Sequence, residues 1–122
     1  MKPIANLIHV GDVKKALRWY QEAFPEASVV EELGFTFLMV GEFALELVPS
    51  DEKVSSGKSG SITYWSVSDL IFEIERFQEL GADVYRGPMK IGNDLGMCQV
   101  EDPWGNLIGL RGPFNYNKHN DS

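Results

Sequence analysis

Two stretches of the chain repeat one pattern of apolar and polar positions. "VGDVKKALRWYQEAF" at residues 10–24 aligns with "VSDLIFEIERFQELG" at residues 67–81, an offset of 57 from position 10 to position 67. In both stretches, apolar side chains recur at the spacing of an amphipathic helix. Asp12 and Asp69 stand where an aspartate can accept hydrogen bonds from the free amides of a first helical turn. The pattern predicts two helices in an internally duplicated chain.

Short apolar or alternating runs flank each helix and predict β-strands. They are "IANLIHV", "ASVVEEL", "FTFLMV" and "FALELV" in the first half, and "SITYWSV", "ADVYRG", "GMCQVE" and "NLIGLR" in the second. The predicted order is βαβββ twice, an α+β fold with modules at residues 1–49 and 60–112. A flexible linker at 50–59 joins them, and residues 113–122 form a flexible tail. We expect the extra residues of the second module to form a longer loop around "PMKIGNDLG".

Composition narrows the classes of function. The chain of 122 residues is 43% hydrophobic and 24% charged, as in one folded domain. Its net charge of −7, from 18 acidic and 11 basic residues, disfavours binding to nucleic acid. One cysteine, Cys98, allows no internal disulfide, and we expect it to be buried under the helices. Without an apolar run of signal-peptide or membrane-spanning length, we expect a cytoplasmic protein that does not bind membranes.

The paired βαβββ units, together with "HVGDVKKALRWYQEAFP" and "VEDPWGNLIGL", resemble the vicinal oxygen chelate superfamily. That superfamily includes glyoxalase I, bleomycin resistance proteins and extradiol dioxygenases. The resemblance implies a curved mixed sheet with helices outside and a concave cup inside, often completed by a second subunit, so a homodimer is expected. It also implies a divalent metal in glyoxalase-like cups, held by one residue each from the first and last strands of both units.

The four metal positions implied by the resemblance fall on Ala5, Glu46, Ile62 and Gly109. A divalent ion needs imidazole nitrogen or carboxylate oxygen ligands, and only Glu46 offers one. His9 lies on the inward face of the first strand by alternation. His9 and Glu46 together still give only two ligands, fewer than a protein metal site usually has. We therefore expect no bound metal and no cofactor.

Strand alternation predicts which side chains line the cup. Ala5 and Gly109 lack bulk, so we expect room for a ligand there, with Trp104 of the turn "DPWG" near the mouth. Ser66 is expected on the same face. The candidate ligand-binding residues are His9, Glu46, Ile62, Tyr64, Met97, Gln99, Trp104, Gly109 and Arg111.

Three functions are consistent with this cup. The first is a metal-free protein resembling bleomycin resistance proteins, which binds a cationic or aromatic small molecule. The second is a glyoxalase-like lyase, isomerase or dioxygenase, with Glu46 or His9 as the proton acceptor. The third is a module whose cup is filled by its own side chains. Glu46 either pairs with Arg111 or His9, or faces a ligand, because an unpaired buried carboxylate is costly.

Overall fold

The computed structural model describes residues 2–32 and 34–114, and the chain divides into two compact units, Met1–Ser56 and Gly57–Ser122. Within the described residues, each unit contains one helix and one four-stranded mixed sheet. The first unit comprises β1 (Ala5–Val10), α1 (Val13–Ala23), β2 (Ser28–Glu32), β3 (Phe35–Val40) and β4 (Phe43–Pro49). The second comprises β5 (Tyr64–Ser66), α2 (Leu70–Glu79), β6 (Asp83–Gly92), β7 (Leu95–Glu101) and β8 (Leu107–Pro113). The predicted βαβββ order is confirmed in both halves.

The two sheets have the same topology. Their strand orders are β1-β4-β3-β2 and β5-β8-β7-β6, and the first strand of each unit pairs in parallel with the last. The other strand pairs are antiparallel. The sequence repeat is therefore also a repeat of strand pairing.

Both helices begin at the predicted aspartates. Asp12 Oδ1 accepts a hydrogen bond from the Lys15 amide at 3.1 Å, and Asp69 Oδ1 accepts one from the Phe72 amide at 3.2 Å. These bonds satisfy amides that have no partner inside the helix. Each helix then buries one apolar face, made by Ala16, Tyr20 and Ala23 in α1 and by Leu70, Ile74 and Phe77 in α2.

Alternate strand residues complete the two cores. In the first unit Leu38, Leu45 and Leu47 are buried, and in the second Cys98, Val100, Ile108 and Leu110 are buried. Successive side chains of a strand point to opposite faces, so the residues between these belong to the other face of each sheet. That other face holds most of the candidate site.

The expected loop around "PMKIGNDLG" is wrong in extent, because β6 continues to Gly92 and β7 begins at Leu95. Pro88 has no backbone N–H to donate to a neighbouring strand. An edge strand tolerates this missing hydrogen bond at a point where the strand pairing is interrupted. β6 is an edge strand, and its register shifts between Arg86 and Met89. Gly87, at φ +86, is required there, since a Cβ would lie 2.8 Å from the Met97 carbonyl oxygen. The extra residues therefore lengthen a hairpin.

The predicted linker begins with a hydrogen-bonded turn. The carboxylate of Asp51 accepts bonds from the amides of Val54 at 2.7 Å and Lys53 at 2.9 Å. These two bonds, with a smaller contribution from the charge of His9, hold the pKa of Asp51 below its ordinary value. Of the predicted tail, Pro113 ends β8, whereas residues 115–122 lie outside the described residues. No helix within 2–32 and 34–114 is both long and apolar enough to cross a bilayer.

Replacing Asp12 with alanine tests the first cap. The first turn of α1 contains no acidic residue, so Asp12 supplies both the acceptor and the negative charge at this helix end. We expect Asp12→Ala to lower the free energy of unfolding by about 1 kcal/mol in urea titrations. Asp12→Asn keeps the acceptor without the charge and should lose less. Equal stability of the wild type and Asp12→Ala would contradict the capping role.

Candidate functional site

The helix-free faces of the two sheets carry equivalent rows of residues. In the first unit, Glu46 pairs with Leu7 on β1 and with Phe37 on β3. In the second unit, Gly109 pairs with Tyr64 on β5 and with Gln99 on β7. The pairing register thus supports the correspondence between Glu46 and Gly109 that was inferred from the repeat.

Glu46 is a half-buried carboxylate between two apolar neighbours, Leu7 and Phe37. Within its own unit, it forms no salt bridge with another described side chain. A groove of about 470 Å³ runs past it, and Glu46 is the charged residue of the groove lining. The lining includes Leu7, Thr36, Glu46, Val48 and Pro49.

His9 lies further along β1, opposite Val48 on β4. Its charge acts on Asp51, at the start of the linker. Among the described residues of this unit, no salt bridge joins His9 to Glu46. The expected neutralisation of Glu46 by His9 is therefore not observed in this unit.

In the second unit, the ring of Tyr64 covers the backbone of Gly109. A Cβ at position 109 would lie 2.6 to 2.8 Å from three ring atoms of Tyr64, which is closer than real Cβ contacts. The amide of Gln99 holds the ring in place by donating to the Tyr64 hydroxyl at 2.8 Å. The expected room beside Gly109 is thus wrong, because an aromatic ring occupies the space that a side chain at 109 would need.

Arg111 lies one row further along β8, with Ser66 and Met97 as its cross-strand partners. Its guanidinium carbon is 4.7 Å from the centroid of the Tyr64 ring, which is a cation–π contact. Four candidates, Tyr64, Gln99, Gly109 and Arg111, are thus in contact on one face.

Of the other candidates in the second unit, Met97 is a cross-strand partner of Arg111, whereas Ile62 and Trp104 lie outside β5, β7 and β8. Ile62 precedes β5, which begins only at Tyr64, and Trp104 lies in the turn between β7 and β8. The turn is held by the buried carboxylate of Asp102, which accepts bonds from the amides of Trp104 and Asn106, each at 2.8 Å. Asp102 therefore fixes the position of Trp104 on the turn.

Sequence reasoning did not identify Phe37, Trp65 and Leu95 as site residues. Phe37 flanks Glu46, while Trp65 and Leu95 line a pocket of about 340 Å³ beside Arg111. The juxtaposition of Tyr64 and Gly109 follows from the parallel register of β5 on β8, which the order of the elements alone does not give.

The residues present do not fit the divalent metal that the resemblance implies. Ala5, Ile62 and Gly109 carry no donor atom, and the ring of Tyr64 covers position 109. In residues 2–32 and 34–114, no group of three or more His, Cys, Asp or Glu side chains could hold an ion.

Cys98 is fully buried, as expected, and burial raises the pKa of its thiol to about 11.

Comparison with known proteins assigns the family. A family model for the Glyoxalase/Bleomycin resistance protein/Dioxygenase superfamily matches residues 3–110, and the chain belongs to this superfamily. A search of curated proteins found no match.

Solved structures share the fold at low sequence identity. A glyoxalase/bleomycin resistance protein/dioxygenase family enzyme from Burkholderia phytofirmans is 14% identical, with a TM-score of 0.74, covering 91% of this chain and 98% of that one. The fosfomycin resistance protein FosX from Mesorhizobium loti is 16% identical, with a TM-score of 0.69, and the match covers 98% of this chain and 96% of FosX. Lactoylglutathione lyase from Agrobacterium tumefaciens is 17% identical, with a TM-score of 0.68, and the match covers 91% of this chain and 92% of the lyase. These likenesses confirm the glyoxalase-like fold.

Substituting Gly109 with alanine tests the contact with Tyr64. The added Cβ would meet the ring, so we expect a loss of about 1–3 kcal/mol in the free energy of unfolding, the range for overpacked sites. Chemical denaturation measures this loss. Gly57→Ala is the matched control, because a Cβ there meets nothing within 4 Å.

A double-mutant cycle tests whether the Tyr64 ring causes the stability loss expected for Gly109→Ala. In a Tyr64→Ala background, Gly109→Ala should cost much less, since the obstructing ring is gone. The same cost in both backgrounds would contradict the proposed clash.

Proposed function

We propose that this member of the superfamily is a small-molecule-binding protein that works without a metal ion. Its ligand carries a cationic or aromatic group that lies against Glu46 in the groove of the first unit. The observation that carries the proposal is the Glu46 carboxylate, flanked by Leu7 and Phe37 and without a salt bridge among the described residues of its unit.

The energetics of Glu46 support a cationic ligand. Covering an unpaired carboxylate with apolar groups is unfavourable, whereas an opposite charge offsets much of the lost hydration. The groove is lined mainly by apolar surface, which suits the body of a drug-sized molecule. A net charge of −7 also favours the approach of cations.

Metal independence is supported by the donor set. A bound divalent ion usually has three or four protein ligands, and three of the four expected positions hold Ala5, Ile62 and Gly109. The fosfomycin resistance protein and the lactoylglutathione lyase show that the fold occurs in proteins named for resistance and for catalysis. The residues of this chain favour binding over metal-assisted catalysis.

Glu46→Gln tests the role of the carboxylate. Benzyltrimethylammonium serves as the cationic aromatic probe and benzyl alcohol as its neutral counterpart, with binding measured by calorimetry or NMR titration. We expect the cation to bind more tightly than the alcohol, and Glu46→Gln to weaken only the cation, by about tenfold or more. Glu42→Gln removes one charge from an exposed residue of the same unit and should change neither affinity.

Two results would overturn the proposal. One is equal binding of the cation to the wild type and Glu46→Gln. The other is stoichiometric Ni²⁺ or Zn²⁺ after metal addition and desalting, with a rise in melting temperature that Glu46→Gln abolishes. The second result would favour the metal-dependent enzyme.

The proposal includes a homodimer, the assembly that the resemblance implies. The edge strand β6 supports it, since Tyr85, Met89 and Ile91 are exposed apolar residues along that strand. Exposed apolar edges are commonly covered by a partner. Sedimentation equilibrium should give twice the 13.7 kDa mass of one chain, and a purely monomeric mass at micromolar concentration would contradict the dimer.

A further inference from the structure

Arg111 combines a fixed position with unused hydrogen-bond donors. Its guanidinium lies over the Tyr64 ring, which is itself held by Gln99 and by the bare backbone of Gly109. Among residues 57–114, the described part of its unit, no carboxylate forms a salt bridge with Arg111. A guanidinium that lies over an aromatic ring keeps N–H groups that can donate to an acceptor.

The pocket beside Arg111 is lined by a positive charge, whereas the chain as a whole is acidic. It measures about 340 Å³, and its lining contains Arg111 and no acidic residue, although the chain as a whole has a net charge of −7. The other lining residues include a hydroxyl from Ser66 and apolar surface from Leu95 and Pro113. A cation without an opposing acid is a local site for an anion.

The neighbouring polar groups add two further donors. Ser66 is the cross-strand partner of Arg111, so its hydroxyl belongs to the same face of the sheet. The Tyr64 oxygen accepts from Gln99, which leaves its own O–H to donate. A planar carboxylate presents two coplanar oxygens, which match the two parallel N–H groups of a guanidinium edge.

From these features we infer that the second unit contains an anion-binding subsite, formed by Arg111, Ser66 and Tyr64, that takes the carboxylate of a small aromatic acid. The apolar body of the acid lies against Leu95 and Pro113. This subsite has a charge opposite to that of the groove at Glu46 in the first unit. It does not rest on the function proposed for that groove.

Benzoate is the probe, and benzamide is its neutral counterpart of the same shape. In NMR titrations of the whole chain, benzoate should shift the amide signals of Ser66, Arg111 and Gly112 and bind more tightly than benzamide. Arg111→Gln should weaken benzoate by about tenfold to a hundredfold, the range for a lost charge-assisted pair. Arg111→Lys keeps the charge without the planar fork and should give an intermediate affinity. Tyr64→Phe keeps the ring and should cause a smaller loss.

The controls separate the subsite from general charge attraction. Lys90→Gln removes a positive charge elsewhere in the same unit and should leave benzoate affinity unchanged. Glu46→Gln should also leave it unchanged, so failure of this subsite and failure of the first groove are distinguishable. The inference is overturned if benzamide binds as tightly as benzoate, or if Arg111→Gln and Lys90→Gln behave alike. Equally tight binding of inorganic phosphate would overturn the assignment to a planar carboxylate.

Discussion

The contact between the Tyr64 ring and the backbone of Gly109 determines the chemistry available on the helix-free face of the second sheet. A side chain at position 109 would force the ring to move, because an added Cβ would lie within 3 Å of three ring atoms. The guanidinium of Arg111 lies over the same ring, with its carbon 4.7 Å from the ring centroid. Position 109 therefore offers no donor atom, and the ring that covers it lies beneath the guanidinium of Arg111.

The two units show how far equivalent faces of a duplicated fold can diverge. Their pairing registers match row for row, yet one row contains a carboxylate, Glu46, and its counterpart contains an aromatic ring over a glycine. Neither row retains the set of imidazole and carboxylate donors on which metal chemistry depends. Each unit instead has one ionisable side chain of defined sign beside a pocket: Glu46 in the first and Arg111 in the second.

The sequence was sufficient to predict the elements and their order, because helix periodicity, the caps at Asp12 and Asp69, and strand alternation are local signals. It also placed Tyr64, Gln99 and Arg111 on one face. The packing of Tyr64 on Gly109 was missed, because it requires both the parallel register of β5 on β8 and the rotamer that the ring adopts once Gln99 bonds its hydroxyl. The extent of β6 was missed because Gly87 and Pro88 are typical of loops, and only an edge position makes them acceptable in a strand.

Alternation along the strands explains why the site could change without loss of the fold. The helix-facing residues of β8, Ile108 and Leu110, are buried and bind the sheet to α2, whereas Gly109 and Arg111 between them belong to the opposite face. Substitution on that opposite face leaves the helix–sheet core intact, so metal ligands can be lost while the hydrophobic driving force for folding remains. The helix-facing residues therefore maintain the fold, and the chemistry of the opposite face depends on the residues in between.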